Sequence, residues 1–232
     1  MVVNQVVIYG ERCSGTNYLE KLLLENFYNF KIIKHKYGWK HFPKYSDLNN
    51  YNTKDILFIG IIRNLPDWVN SLYRNKYHLP KELTKDVNSY LNNQVYSLYE
   101  NSTKEIMEDR NIETGNRYKN IFELRHIKNK YLVDIMPTLV KNYCLITYDN
   151  LITNFEDVMN NFKLYLQFKN NIQFPVNIYK NIKEDNMVFK KKQNQIPNNL
   201  IIPKADLTYE KILFPIWYKM INEEYKTNHI LY

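Results

Sequence analysis

Cysteine is almost absent from this chain. Only Cys13 and Cys144 occur, in no Cys-x-x-Cys pair and no His-Cys cluster, which argues against a disulfide framework or a structural zinc site and points to reduced thiols in a cytosolic-type compartment. Long hydrophobic runs are missing too. No stretch of 18 apolar residues exists, and the N-terminus MVVNQVVIYGERC has no basic segment leading into a long apolar one, so the expectation is a cytoplasmic protein with no membrane span. Internal repeats and a visible linker are also lacking, and 232 residues suit one sizeable core, so residues 1–232 read as a single domain. Alanine and glycine are scarce while Asn, Lys, Ile and Tyr crowd the chain; an AT-rich coding sequence produces that bias, and it carries no function. Acidic residues are outnumbered, 24 against 32 Lys and Arg, for a net charge of +8. That balance favours anionic ligands without choosing among them.

What is present alternates between strand and helix patterns. Residues 3 to 9 form a short apolar run ending at Gly10, and TNYLEKLLLENF places Leu19, Leu22, Leu23 and Phe27 at helical spacing. KIIKH, residues 31 to 35, is a candidate second strand. DILFIGIIR, residues 55 to 63, has the unbroken apolar centre of a strand covered on both faces. A helix follows, with Asn64 as cap and Pro66 in the first turn. Residues 80 to 120 are polar and weakly periodic. NIFELRHIKNKYLVDIM is helical up to Pro137, KNYCLITY is a further strand, a helix follows it, and another is expected from Asp206 to Lys226. The fold class expected is α/β with three layers: a central parallel sheet flanked by helices, opened by a phosphate-loop-like strand-loop-helix, with any ligand at the carboxyl ends of the strands.

Two of the five glycines, Gly10 and Gly15, bracket one loop in VVIYGERCSGTNYL. A strand, a glycine-bounded turn and a helix start form an anion site, because the first helical N–H groups point outward and the dipole adds positive potential. Ser14, Thr16 and Asn17 add side-chain donors. Thr16 and Asn17 nevertheless stand where the loops of nucleotide triphosphatases carry Lys and then Ser or Thr. Without the lysine that reaches the β and γ phosphates or the hydroxyl that binds magnesium, ATP or GTP hydrolysis is disfavoured.

A second element alters the reading. After strand 55–63 comes RNLPDWVNSLY, with Arg63 at the strand end and Ser71 two helical turns on. Together with Ser14-Gly15-Thr16-Asn17-Tyr18-Leu19 this resembles the PAPS-dependent sulfotransferases, whose 5′-phosphosulfate loop and whose Arg-Asn-Pro … Ser-x-Tyr element occur in this order. ITYDNL, residues 146 to 151, is similar to a third element found late in that family. The resemblance implies 3′-phosphoadenosine 5′-phosphosulfate (PAPS) as co-substrate and no metal. Arg12, Cys13, Ser14, Gly15, Thr16 and Asn17 would surround the phosphosulfate, and Arg63 and Ser71 the 3′-phosphate. An arginine fork and a hydroxyl suit a phosphate dianion. The chain departs from the family where the loop lysine aligns with Cys13, leaving Arg12, Lys40 or Lys190–Lys192 of FKKKQNQ as the replacement cation.

Sulfuryl transfer needs in-line placement, positive charge on the departing phosphate and a base for the acceptor. HKYGWKHFPKY supplies both groups: His41 is the first choice for base and Lys40 for cation, with His35 and then Glu11 as further candidates for the base. Glu11 also suits an ion pair that orients Arg12. The expected partner is a small-molecule or carbohydrate acceptor, and no specific nucleic acid. Two rival classes are a nucleotide kinase or triphosphatase with an altered loop, and a basic nucleic-acid-binding protein that stacks bases on its 21 tyrosines. Scattered basic residues and the absence of a recognised binding motif weigh against the latter.

Overall fold

A computed structural model describes residues 3–41, 47–169 and 206–215. Four strands form one parallel sheet: β1 Gln5–Tyr9, β3 Lys31–Ile32, β4 Ile56–Ile62 and β5 Asn142–Thr147, in the order β3-β1-β4-β5. A separate antiparallel pair joins β2 Phe27–Tyr28 to β6 Gln167–Phe168. Helices lie between the strands: α1 Thr16–Asn26, α2 Leu65–Asn75, α3 Val87–Asn92, α4 Ile121–Lys130, α5 Met136–Leu139, α6 Tyr148–Thr153, α7 Phe155–Phe162 and α8 Thr208–Leu213. The described residues are therefore α/β, with helices flanking a parallel sheet in an arrangement compatible with three layers.

Alternation along the strands explains how both faces are covered. Val6 and Ile8 of β1 and Leu57, Ile59 and Ile61 of β4 join Leu19, Leu22 and Leu23 of α1 and Val158, Met159 and Phe162 of α7 in one buried cluster. Val7, Tyr9, Phe58 and Ile62 point the other way, to Leu132, Met136, Val140 and Phe214. Every residue of β4 is buried, as its continuous apolar run requires. A third cluster, formed by Leu65, Trp68 and Leu72 of α2 with Tyr90 of α3 and Ile121 and Leu124 of α4, contains no strand residue.

β1 lies between β3 and β4, so the chain leaves β1 toward one side and returns on the other. That reversal makes the carboxyl end of β1 the topological switch point, the usual ligand position in such sheets. The loop 10–15 and Arg63 both emerge there.

Three elements differ from the pattern expected. Phe27 leaves the helix: its backbone is extended, and it pairs with Phe168 while its ring stays buried against Phe162 and Phe168. Pro137 does not stop the helix after α4. A π-turn over Tyr131–Ile135 intervenes, in which the Met136 N–H donates to Tyr131 O five residues back, and the chain re-enters α5 with Pro137 in its first turn. Widening the turn removes the ring clash that a proline makes in an unbroken α-helix. The helix after β5 is divided at Asn154 into α6 and α7. Elsewhere the expectation matches: Asn64 caps α2 by accepting from the Asp67 N–H at 3.0 Å, with Pro66 in the first turn. Of the helix expected over 206–226, α8 falls in the described residues.

Candidate functional site

The loop from Gly10 to Gly15 is built by close approach. Both backbone groups of Gly10 are taken by the segment after β3: its N–H donates to Lys40 O at 3.0 Å, and its O accepts from His41 Nδ1–H at 2.7 Å. Tyr9 holds that segment over the strand end by donating its hydroxyl to Tyr37 O at 2.6 Å. A Cβ on Gly10 would lie 2.5 Å from Ser14 Oγ and 2.6 Å from Ile61 O, so the crowding demands glycine. Gly15 takes φ +104°, and a Cβ there would collide with the ring of Tyr148. Gly15→Ala is therefore expected to cost about 1–3 kcal/mol of stability in a denaturant titration, from left-handed strain and displacement of Tyr148. A loss below about 0.5 kcal/mol would mean that the loop does not hold this shape.

Cys13 also adopts a left-handed conformation, φ 64°. Burial raises its thiol pKa, against hydrogen bonds with Ser71 and Asn75 that lower it. Cys13 is thus a protonated thiol near neutral pH, and it brings Ser71 of α2 against the loop.

Arg12 is not brought to the loop mouth. Its side chain is 1% exposed and is turned to protein acceptors: Nε donates to Glu11 Oε1 at 2.8 Å, and Nη1 to Ser97 Oγ at 2.8 Å and Tyr77 O at 3.0 Å, while Nη2 makes no hydrogen bond among the described residues. Nη2 stands 3.6 Å from Asp109 Oδ2, to which Ser97 also donates. Lys128 of α4 closes the set. Its Nζ pairs with Glu11 Oε2 and with Asp109 Oδ1, the latter at 2.5 Å, and donates to His41 O at 2.8 Å. Two carboxylates and two cations thus compensate one another in the interior, which is what makes their burial tolerable. Asp109, Ser97 and Lys128 are site-supporting residues absent from the sequence reading. A usable signal existed, since Arg125 and Lys128 occupy positions on the buried stripe of α4.

Glu11 is accordingly an ion-pair partner of Arg12, as its alternative role anticipated. Burial alone would raise its pKa, but Lys128, Arg12 and His41 outweigh burial and hold it at about 2. His41 sits in part-buried surroundings with its Nδ1–H on a carbonyl, which leaves Nε2 as the acceptor nitrogen. Burial lowers its pKa to about 3, with Lys40 and Arg12 adding to the effect and Glu11 and the Gly10 carbonyl opposing it. His35 is exposed, away from these contacts. Both depressed pKa values act in one direction on stability. The unfolded chain binds a proton at His41 below about 6.5 and at Glu11 below about 4.5, while the folded chain does not until about 3 and about 2. Stability is therefore expected to fall as the pH drops from about 6.5, by up to a few kcal/mol near pH 4. Urea titrations at pH 8 to 4 check this; His41→Asn should remove the part of the decline above pH 4.5, and a flat wild-type profile would contradict it.

Lys40 does reach the loop's helix, where its Nζ donates to Asn17 Oδ1 in the first turn of α1. Burial lowers its pKa, with Lys34 adding and Glu20 opposing. Among the described residues the N-terminus of α1 has no side-chain cap, whereas α2, α3, α4 and α6 are capped by Asn64, Asp86, Asn120 and Thr147. Thr16 is buried there, and Ser14 is 2% exposed. Ser14 Oγ has no hydrogen-bond partner among the described residues.

Arg63, at the end of β4, points its guanidinium over the Tyr148 ring, 4.8 Å from the centroid, with an ion pair to Asp67 at 3.6 Å. Its Nε is buried without a hydrogen-bond partner among the described residues. Tyr148 in turn lies on Gly15 and 5.9 Å from the Tyr18 ring, and Asp149 accepts from Asn64 Nδ2 at 2.7 Å. The three sequence elements around residues 14–19, 63–73 and 146–151 are thus in mutual contact. Lys190–Lys192 lie outside the described residues. Comparison with family models, with curated proteins and with solved structures finds no match for the chain.

Proposed function

We propose that the protein is a sulfotransferase that moves the sulfuryl group of PAPS to a hydroxyl or amine of a small-molecule or carbohydrate acceptor. The observation that carries this reading is that Ser14 Oγ and Arg63 Nε, two buried donors near the carboxyl ends of β1 and β4, have no hydrogen-bond partner among the described residues. Buried donors are ordinarily paired, and unpartnered donors at two neighbouring strand-to-helix junctions are suited to an anion with two separated charged groups. In this reading the loop is phosphate-loop-like: Ser14 Oγ and the uncapped N–H groups of α1 take the 5′-phosphosulfate, with Gly15, Thr16 and Asn17 forming the turn. Arg63 and Ser71 take the 3′-phosphate. Lys40, not Arg12, supplies the cation beside the loop, since Arg12 Nε and Nη1 donate to protein acceptors and Nη2 lies toward Asp109, while Lys40 reaches Asn17.

In the transfer itself the acceptor oxygen or nitrogen forms a bond to sulfur while the bond from sulfur to the bridging oxygen breaks. 3′-Phosphoadenosine 5′-phosphate departs with that oxygen and its charge, which Lys40 and the α1 N-terminus stabilise. The acceptor proton goes to His41 Nε2. In the unliganded protein the His41 pKa of about 3 makes it a weak base; the charge of a bound phosphosulfate raises it toward the working range.

Calorimetric titration with 3′-phosphoadenosine 5′-phosphate, adenosine 5′-phosphate, ATP with and without magnesium, and a single-stranded oligonucleotide tests the reading. The expected order is tightest binding of 3′-phosphoadenosine 5′-phosphate, unchanged by EDTA. Magnesium-dependent preference for ATP would identify the triphosphatase alternative, and oligonucleotide binding alone, with steep salt dependence, the nucleic-acid one.

A further inference from the structure

We propose that α8 clasps the anion site from behind: Glu210 fixes Arg125, and Arg125 with Trp68 positions both Arg63 and the loop. Arg125 and Glu210 are 85 positions apart and nearly sealed, with side-chain exposures of 5% and 4%. Their contact is bidentate, Nε to Oε1 at 2.5 Å and Nη2 to Oε2 at 3.0 Å. Asn129 Nδ2 adds a third donor to Oε1 at 3.4 Å. A planar fork held at both nitrogens has its orientation set.

That orientation is used twice. Arg125 Nη2 also donates to the Arg63 main-chain O at 2.6 Å, at the junction between β4 and α2. The same guanidinium lies 5.0 Å from the centre of the Trp68 ring, and Trp68 Nε1–H donates to Arg12 O at 2.8 Å, in the middle of the loop. One ion pair therefore ends on two backbone carbonyls, one in each half of the candidate site. Neutralising Glu210 leaves a buried guanidinium without its counter-charge, which favours rearrangement of Arg125 and releases both carbonyls.

Hydrogen exchange of the unliganded protein tests the clasp, and nucleotide titration tests its consequence, which rests on the sulfotransferase reading. Glu210→Gln is expected to accelerate exchange in residues 10–15 and 63–65 by about tenfold or more while the β1 and β4 amides stay protected. Trp68→Phe, which removes the indole donor together with part of a fully buried ring, is expected to loosen 10–15 more than 63–65. In titrations, Glu210→Gln should lower the preference for 3′-phosphoadenosine 5′-phosphate over adenosine 5′-phosphate by about tenfold, whereas general destabilisation would weaken both nucleotides equally. Unchanged exchange at both segments overturns the proposal, as does an unchanged preference in Glu210→Gln when the wild type binds the nucleotide. Altered exchange in a protein that binds no 3′-phosphoadenosine 5′-phosphate upholds the clasp and overturns the sulfotransferase reading.

Discussion

Arg63→Ala is expected to weaken binding of 3′-phosphoadenosine 5′-phosphate by about ten- to a hundredfold, the equivalent of a charge-assisted hydrogen bond of about 1.5–3 kcal/mol. Adenosine 5′-phosphate, which lacks the second phosphate, should lose far less. The asymmetry follows from position: Arg63 stands at the end of β4, over Tyr148, with a buried Nε that has no hydrogen-bond partner among the described residues, while the 5′ end of the nucleotide is assigned to the α1 side of the loop. Arg63→Lys should recover part of the loss, because it restores charge without the fork. Equal losses for the two nucleotides would refute the role given to Arg63.

The largest stability effect is expected at Lys128. Lys128→Met leaves Glu11 and Asp109 sharing Arg12 alone in the interior, and breaking a buried compensated set in this way costs about 3–5 kcal/mol. For a chain of this size that corresponds to about 10 °C or more in Tm. Combining Lys128→Met with Asp109→Leu restores charge balance, with the Glu11–Arg12 pair remaining, so the double variant should be more stable than the sum of the two single losses allows. A single-variant loss below about 1 kcal/mol, typical of a surface pair, would show that the network is not buried.

Of these two positions, Arg63 is legible in the sequence and the ion pairing of Lys128 is not. Arg63, Asn64 and Ser71 stand out because an unbroken apolar strand ends on a charge and a capped helix follows, which is local information. The loop was legible for the same reason: Gly10 and Gly15 bracket a turn whose crowding and positive φ require them. The inward turn of Arg12 is not legible in the sequence, because its neighbours in space, Ser97 and Asp109, lie 85 and 97 positions away, in a polar stretch with no periodicity to mark it as interior. Pro137 looked like a stop because a π-turn leaves no mark in residue type. Nothing local marks Tyr148 within ITYDNL, because its contact with Gly15 depends on how β5 sits beside β4.

The most direct measurement is a crystal structure of the protein with 3′-phosphoadenosine 5′-phosphate. The account predicts the 5′-phosphate within hydrogen-bond reach of Ser14 Oγ and the N–H groups of residues 15–17, and the 3′-phosphate on Arg63. A nucleotide bound away from the 10–15 loop, or seated there with its 3′-phosphate turned away from Arg63, would contradict it.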